Sequence, residues 1–99
     1  MKPKTFKEFQ DTLQADTPPS FWSEALRAMW YDLKGNWNAS HNIAQDLHTM
    51  EGSWIHGYLH RQEGDKFNAG YWYRRAGRDY PKVSLEEERQ IMVTYFLRQ

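Results

Sequence analysis

Four histidines punctuate this chain, and three of them stand at spacings that matter chemically. His56 and His60 are four residues apart in a stretch whose apolar residues keep helical spacing, so both side chains leave one face. His41 belongs to the segment before. Three imidazoles from two neighbouring helices, with Glu63 or Asp65 as a carboxylate supplement, form a candidate site for a divalent metal ion, the one cofactor these residues suggest. The competing account makes His56 and His60 core residues, each hydrogen-bonded to a tyrosine hydroxyl, an asparagine amide or a backbone carbonyl. The His-Glu-x-x-His arrangement of a zinc hydrolase is missing.

A second constellation is aromatic and basic: Tyr71, Trp72, Tyr73, Arg74 and Arg75, with Arg78 beyond and Arg61 upstream. Planar guanidinium forks beside aromatic faces suit a carboxylate or phosphate on a ligand. The plainer account places Trp72 and Tyr73 in a core and lets the arginines complement the negative end of their helix. No serine nucleophile elbow, phosphate-binding glycine loop or dinucleotide fingerprint occurs. Asp32, Asp46 and the run Glu86 to Glu88 read as solvated faces or caps.

The elements that must position these residues are helices. Thr5 and Glu8 form a capping box ahead of Phe6, Phe9 and Leu13, and Pro18-Pro19 stops that short helix. With Ser20 or Thr17 as N-cap, Trp22, Leu26, Met29 and Leu33 mark a helix that ends at Gly35. Asn36 caps the next, which carries Trp37, Ser40, His41, Ala44 and Leu47 on one face and stops near Gly52. Ser53 restarts the chain for a third helix running to Gly64, and Asp65 caps a fourth that ends at Gly77. Ser84 and Glu87 make a second capping box for a final helix with Leu85, Met92 and Phe96 on one side. The expected fold is all-α, a single domain of about five to six helices. Residues 1–19 form an N-terminal short helix and Pro-rich connector, 20–77 two hairpins, and 84–98 a C-terminal helix.

Composition narrows the partners. Thirteen basic and thirteen acidic residues cancel, which argues against non-specific nucleic-acid binding. No segment has the length and apolarity of a membrane span, and no apolar run follows the first residues, so the chain reads as cytoplasmic. Without cysteine there is no disulfide, thiolate metal site or thiol nucleophile. Five Trp, six Tyr and five Phe exceed what a small core requires, which leaves aromatics for a binding groove or for self-association.

The segments Gly35-Asn36-Trp37-Asn38-Ala39-Ser40 and Gly64-Asp65-Lys66-Phe67-Asn68-Ala69 share a glycine, an Asn/Asp cap, an aromatic and a small residue. Their glycines stand 29 residues apart, a period typical of helical-hairpin arrays. They resemble the turn and second helix of the tetratricopeptide repeat (TPR), with Ala69, Tyr73 and Ala76 at its small, aromatic and small positions. The spacing is shorter than the usual ~34 residues, so the hairpins are TPR-like only. The string from Trp54 to Asp65, followed by Asn68 to Gly77, is similar to one carried by a family of small bacterial proteins of uncharacterised activity.

On that TPR-like template, His56 and His60 face the partner helix and His41 points to the same seam. Trp54, Tyr58, Arg61 and Gln62 then line the concave groove where such hairpins hold peptides, and Trp37 wedges between hairpins. The leading expectation is a binding or interaction module for a peptide, a protein partner or a small anionic ligand, held by Trp54, Tyr58, Arg61 and the Tyr71, Trp72, Tyr73, Arg74 and Arg75 segment. The alternative is a metal-binding protein or small metal-dependent enzyme using His41, His56 and His60.

Overall fold

The computed structural model describes residues 2–99. Its order is α1 (Phe6–Asp11), a 3-10 turn (Thr12–Gln14), α2 (Glu24–Leu33), α3 (Trp37–Asp46), α4 (Met50–Gln62), α5 (Lys66–Arg75) and α6 (Leu85–Leu97). Among the described residues no strand forms, and no helix is long and apolar enough to cross a membrane. Two helix starts differ from the sequence reading. Helix α2 begins at Glu24, with Ser23 as its cap in place of the expected Ser20 or Thr17, because the Ser23 hydroxyl accepts from the Leu26 N–H; Trp22, left outside, stacks on Phe9 at 5.4 Å. Helix α4 begins at Met50, before Ser53, since the Thr49 hydroxyl accepts from the Gly52 N–H.

The turns between paired helices are three residues long because one residue closes one helix and opens the next. Gly35, at φ 85°, lets the Asn36 N–H reach back to the Tyr31 carbonyl at 2.8 Å, while the Asn36 side chain accepts from the Ala39 N–H. Gly64, at φ 86°, does the same for Asp65, whose N–H bonds the His60 carbonyl and whose carboxylate accepts from the Asn68 N–H. So tight a link forces consecutive helices to fold back as neighbours, and α2 packs chiefly on α3, α4 on α5.

The first pair then stacks on the second through α3 and α4. Trp37 at the start of α3 donates its Nε1–H to the Leu59 carbonyl near the end of α4 (3.0 Å), and His41 meets His56 further along. Leu47 abuts Gly52 at the opposite end, so α3 and α4 run antiparallel. Close approach of α4 to α5 depends on Gly57: a Cβ there would lie 3.2 Å from the Tyr73 nitrogen and 3.3 Å from the Ala69 oxygen.

Helix α6 closes the fold by lying across α2 and α4. Met92, Val93 and Phe96 are buried there, and Phe96 meets Trp54 edge-on at 5.6 Å. Two carboxylates that the sequence reading placed in solvent or in caps are buried instead. Glu88, 2 % exposed, accepts from Trp54 Nε1, Arg61 Nη1 (2.7 Å) and the Tyr73 hydroxyl (2.7 Å to the nearer oxygen). Asp32, 4 % exposed, accepts from the Tyr58 hydroxyl, Gln62 Nε2 and Arg89 Nε, each at 2.9 Å. A buried charge is tolerated where hydrogen bonds and a counter-ion replace its water, and both sites have three donors including an arginine.

Candidate functional site

Helices α3 and α4 bring His41, His56 and His60 to one point of their seam. One ligating nitrogen from each lies within 4.8 Å of the others, and His41 Nε2 is 3.0 Å from His56 Nε2. The geometry follows from helix periodicity plus one docking. His56 and His60, one turn apart on α4, stack with their rings 4.9 Å apart and 21° from parallel. His41, from α3, meets both nearly at right angles, at 88° and 80°.

Two indoles wall the cluster. Trp72 of α5 lies flat on His56, 3.9 Å between ring centres and 15° between planes. Trp37 lies on His41 at 4.7 Å and 12°. Trp37 precedes His41 by one helical turn, so its place beside the site was readable from spacing. Nothing in the sequence ties Trp72 to His56, because that contact exists only when α5 folds back on α4.

Burial decides the protonation state. Desolvation, reinforced by the neighbouring His41 and His60 rings, brings His56 down to about 4. His41 is also lowered, first by burial and then by His60, with Glu63 partly opposing. Both are therefore neutral at pH 7, the form that ligates metals and that makes one imidazole–imidazole N–H···N hydrogen bond at the observed 3.0 Å.

His60 is held from behind by Glu63, whose carboxylate oxygen lies 2.7 Å from His60 Nδ1. A proton on Nδ1 leaves Nε2 with the free lone pair, the carboxylate–imidazole pairing that orients metal ligands. Asp65, the other carboxylate considered from sequence, is committed elsewhere. Its two oxygens accept from the Asn68 backbone and side-chain nitrogens as the cap of α5.

No protein-family model, curated protein or solved structure matches this chain.

The aromatic and arginine residues expected to form a ligand face divide into two groups. Trp54 and Tyr58 lie in the core, under α6, and Arg61 is tied to Glu88 and to the Val83 carbonyl. The groove expected over them is filled by the chain's own last helix. Tyr73 is buried beside Glu88 as well. Tyr71, Arg74 and Arg75 do reach the surface, with Trp72 half-buried between them and the histidines. Trp37 and Phe67, matched as the aromatics of the two turns, have different surroundings. Trp37 follows its cap directly and turns into the seam, whereas Phe67 stands one position later on α5 and is 84 % exposed.

Proposed function

We propose that this protein binds a divalent transition-metal ion at the α3–α4 seam, with His41, His56 and His60 as ligands. The observation that carries the reading is the convergence of three nitrogens from two helices within 4.8 Å. Metal–imidazole bonds of 2.0–2.1 Å in a tetrahedral site set ligand nitrogens about 3.3 Å apart. Small side-chain rotations bridge that difference. An all-imidazole set suits zinc, nickel or copper rather than magnesium or calcium, which take oxygen ligands. Three protein ligands leave a fourth position for water or a small ligand.

Each lone pair must aim at the ion, so the nearly parallel rings of His56 and His60 splay when they chelate. His56 then turns against Trp72, and the indole reports binding. The test uses protein purified without a histidine tag. Added zinc or nickel is expected to bind in one equivalent, raise the melting temperature and change tryptophan emission, and His56→Ala is expected to remove all three effects. Failure of zinc, nickel and iron alike to bind stoichiometrically or to shift the melting temperature would dismiss the reading.

A second reading, a module that holds an anionic group of a small ligand or peptide, is supported by Arg75. Its guanidinium lies over Trp72 (5.4 Å) and Tyr71 (5.8 Å), and among the described residues no carboxylate pairs with it. It borders a cavity of ≈ 460 Å³ also lined by His48, Thr49, Ser53 and Trp72. Titration with inorganic phosphate, followed by amide NMR shifts, is expected to perturb this cavity in the native protein and not in Arg75→Ala. Equal shifts in both proteins count against it.

A further inference from the structure

Most of the outer face of α6 is left uncovered by the other described residues, although Tyr95 meets Trp54 edge-on at 5.6 Å, and its chemistry is complementary to itself. Glu87, Gln90, Ile91, Thr94, Tyr95 and Arg98 form one stripe along this face and line a shallow groove. Ile91 is 47 % and Tyr95 40 % exposed, although Met92, Val93 and Phe96 on the opposite face of the same helix are buried in the core. Glu87 and Arg98 make no ion pair among the described residues. They lie some 16 Å apart along the axis, too far to meet each other.

We propose that this stripe is the contact of a symmetric homodimer, in which α6 of one copy lies antiparallel on α6 of another. Any helical stripe with this three-and-one spacing maps onto itself in position when turned end for end. Here the residue types match too. A two-fold axis between Met92 and Val93 sets Glu87 opposite Arg98 at both ends. The same axis sets Gln90 opposite Tyr95, and Ile91 opposite Thr94 near the centre. Each like-with-opposite match occurs twice because the interface is isologous. The central pairs remove the exposed isoleucine and tyrosine from water, and the charged pairs fix orientation, since a parallel arrangement would bring Glu87 near Glu87 and Arg98 near Arg98. A formal net charge of zero leaves no long-range repulsion between copies.

Six residues on one helix cover less than the roughly 1,200 Å² of a stable standard interface, so the dimer is weak and concentration-dependent. This inference stands apart from the metal proposal, and the test is run in excess chelator so that no shared ion contributes.

Sedimentation equilibrium from micromolar to millimolar protein is expected to show monomer–dimer exchange. Glu87→Arg alone, or Arg98→Glu alone, replaces two attractions by two repulsions and is expected to raise the dissociation constant about tenfold or more. Mixing the two variants in equal amounts places the two arginines of one chain opposite the two glutamates of the other, and association is expected to return. Both variants change exposed residues, and circular dichroism confirms that each is folded. A native protein that stays monomeric throughout, a dimer indifferent to both charge reversals, or a mixture that associates no better than its components would each overturn the proposal.

Discussion

His41 Nε2 and His56 Nε2 approach to 3.0 Å across the seam between α3 and α4, and this contact between residues 15 positions apart is one of the bonds that join the two helical hairpins. A hydrogen bond between two neutral imidazoles holds it in the free protein. The same two nitrogens are the nearest pair of the proposed metal site, so a proton and a metal ion compete for one location.

Glu63 sets the orientation of His60 through the 2.7 Å contact to Nδ1. On the metal reading, Glu63→Gln weakens zinc affinity about 10- to 100-fold, the usual cost of losing the carboxylate behind a ligating imidazole. Asp65→Asn leaves affinity nearly unchanged, because asparagine still caps α5. Competition with a zinc-responsive dye measures both.

Acid destabilises the metal-free fold over a defined window. The unfolded chain takes up a proton at His56 near pH 6.5, while the folded chain resists until about 4. Over that interval the unfolded state binds more protons, so stability is full above 6.5 and declines as the pH drops toward 4. The expected loss is on the order of 1 kcal/mol after allowance for solvent screening at the open side of the cluster. Urea denaturation between pH 7.5 and 4 reads it, and His56→Phe, which keeps the stack on Trp72, flattens the dependence.

The acidic run at the start of α6 contains residues of very different weight. Glu88→Ala removes the acceptor of Trp54, Arg61 and Tyr73 and leaves a largely buried guanidinium without its counter-ion. The expected cost is about 3–5 kcal/mol. Glu86 is exposed and makes no side-chain contact of this kind, so Glu86→Ala stays within about 0.5 kcal/mol. Chemical denaturation of the two variants separates them.

Gly57 and Gly70 give opposite outcomes on replacement by alanine. Both gain roughly 1 kcal/mol of helix propensity. At Gly57 the new methyl meets backbone atoms of α5 at 3.2 and 3.3 Å, which cannot yield without parting the helices. Overpacking of about 1–3 kcal/mol outweighs the gain, and Gly57→Ala lowers the melting temperature. At Gly70 the nearest atom is the flexible end of Arg74 at 3.4 Å, so Gly70→Ala raises it.

What the amino-acid sequence determined by itself lies within a few residues along the chain. Thr5, Asn36, Asp65 and Ser84 cap helices as read, and Gly35 and Gly64 terminate them, because each signal is a hydrogen bond or a backbone angle spanning three to five residues. His56 and His60 share a face for the same reason. The two displaced helix starts also belong to this scale: at Ser23 and Thr49 a hydroxyl three residues before an N–H competed with the candidate chosen.

Only the tertiary structure decided where α6 goes. Its docking over α2 and α4 turned Trp54 and Tyr58 from groove residues into core, tied Arg61 to Glu88, and drew Asp32 and Glu88 out of water. The bonds responsible join residues 15 to 57 positions apart. An isolated Glu88 is indistinguishable from Glu86 or Glu87 in sequence, since burial of a charge depends on donors that other helices supply. The placing of Trp72 on His56 has the same origin: periodicity says which residues share a face, and only packing says what that face meets.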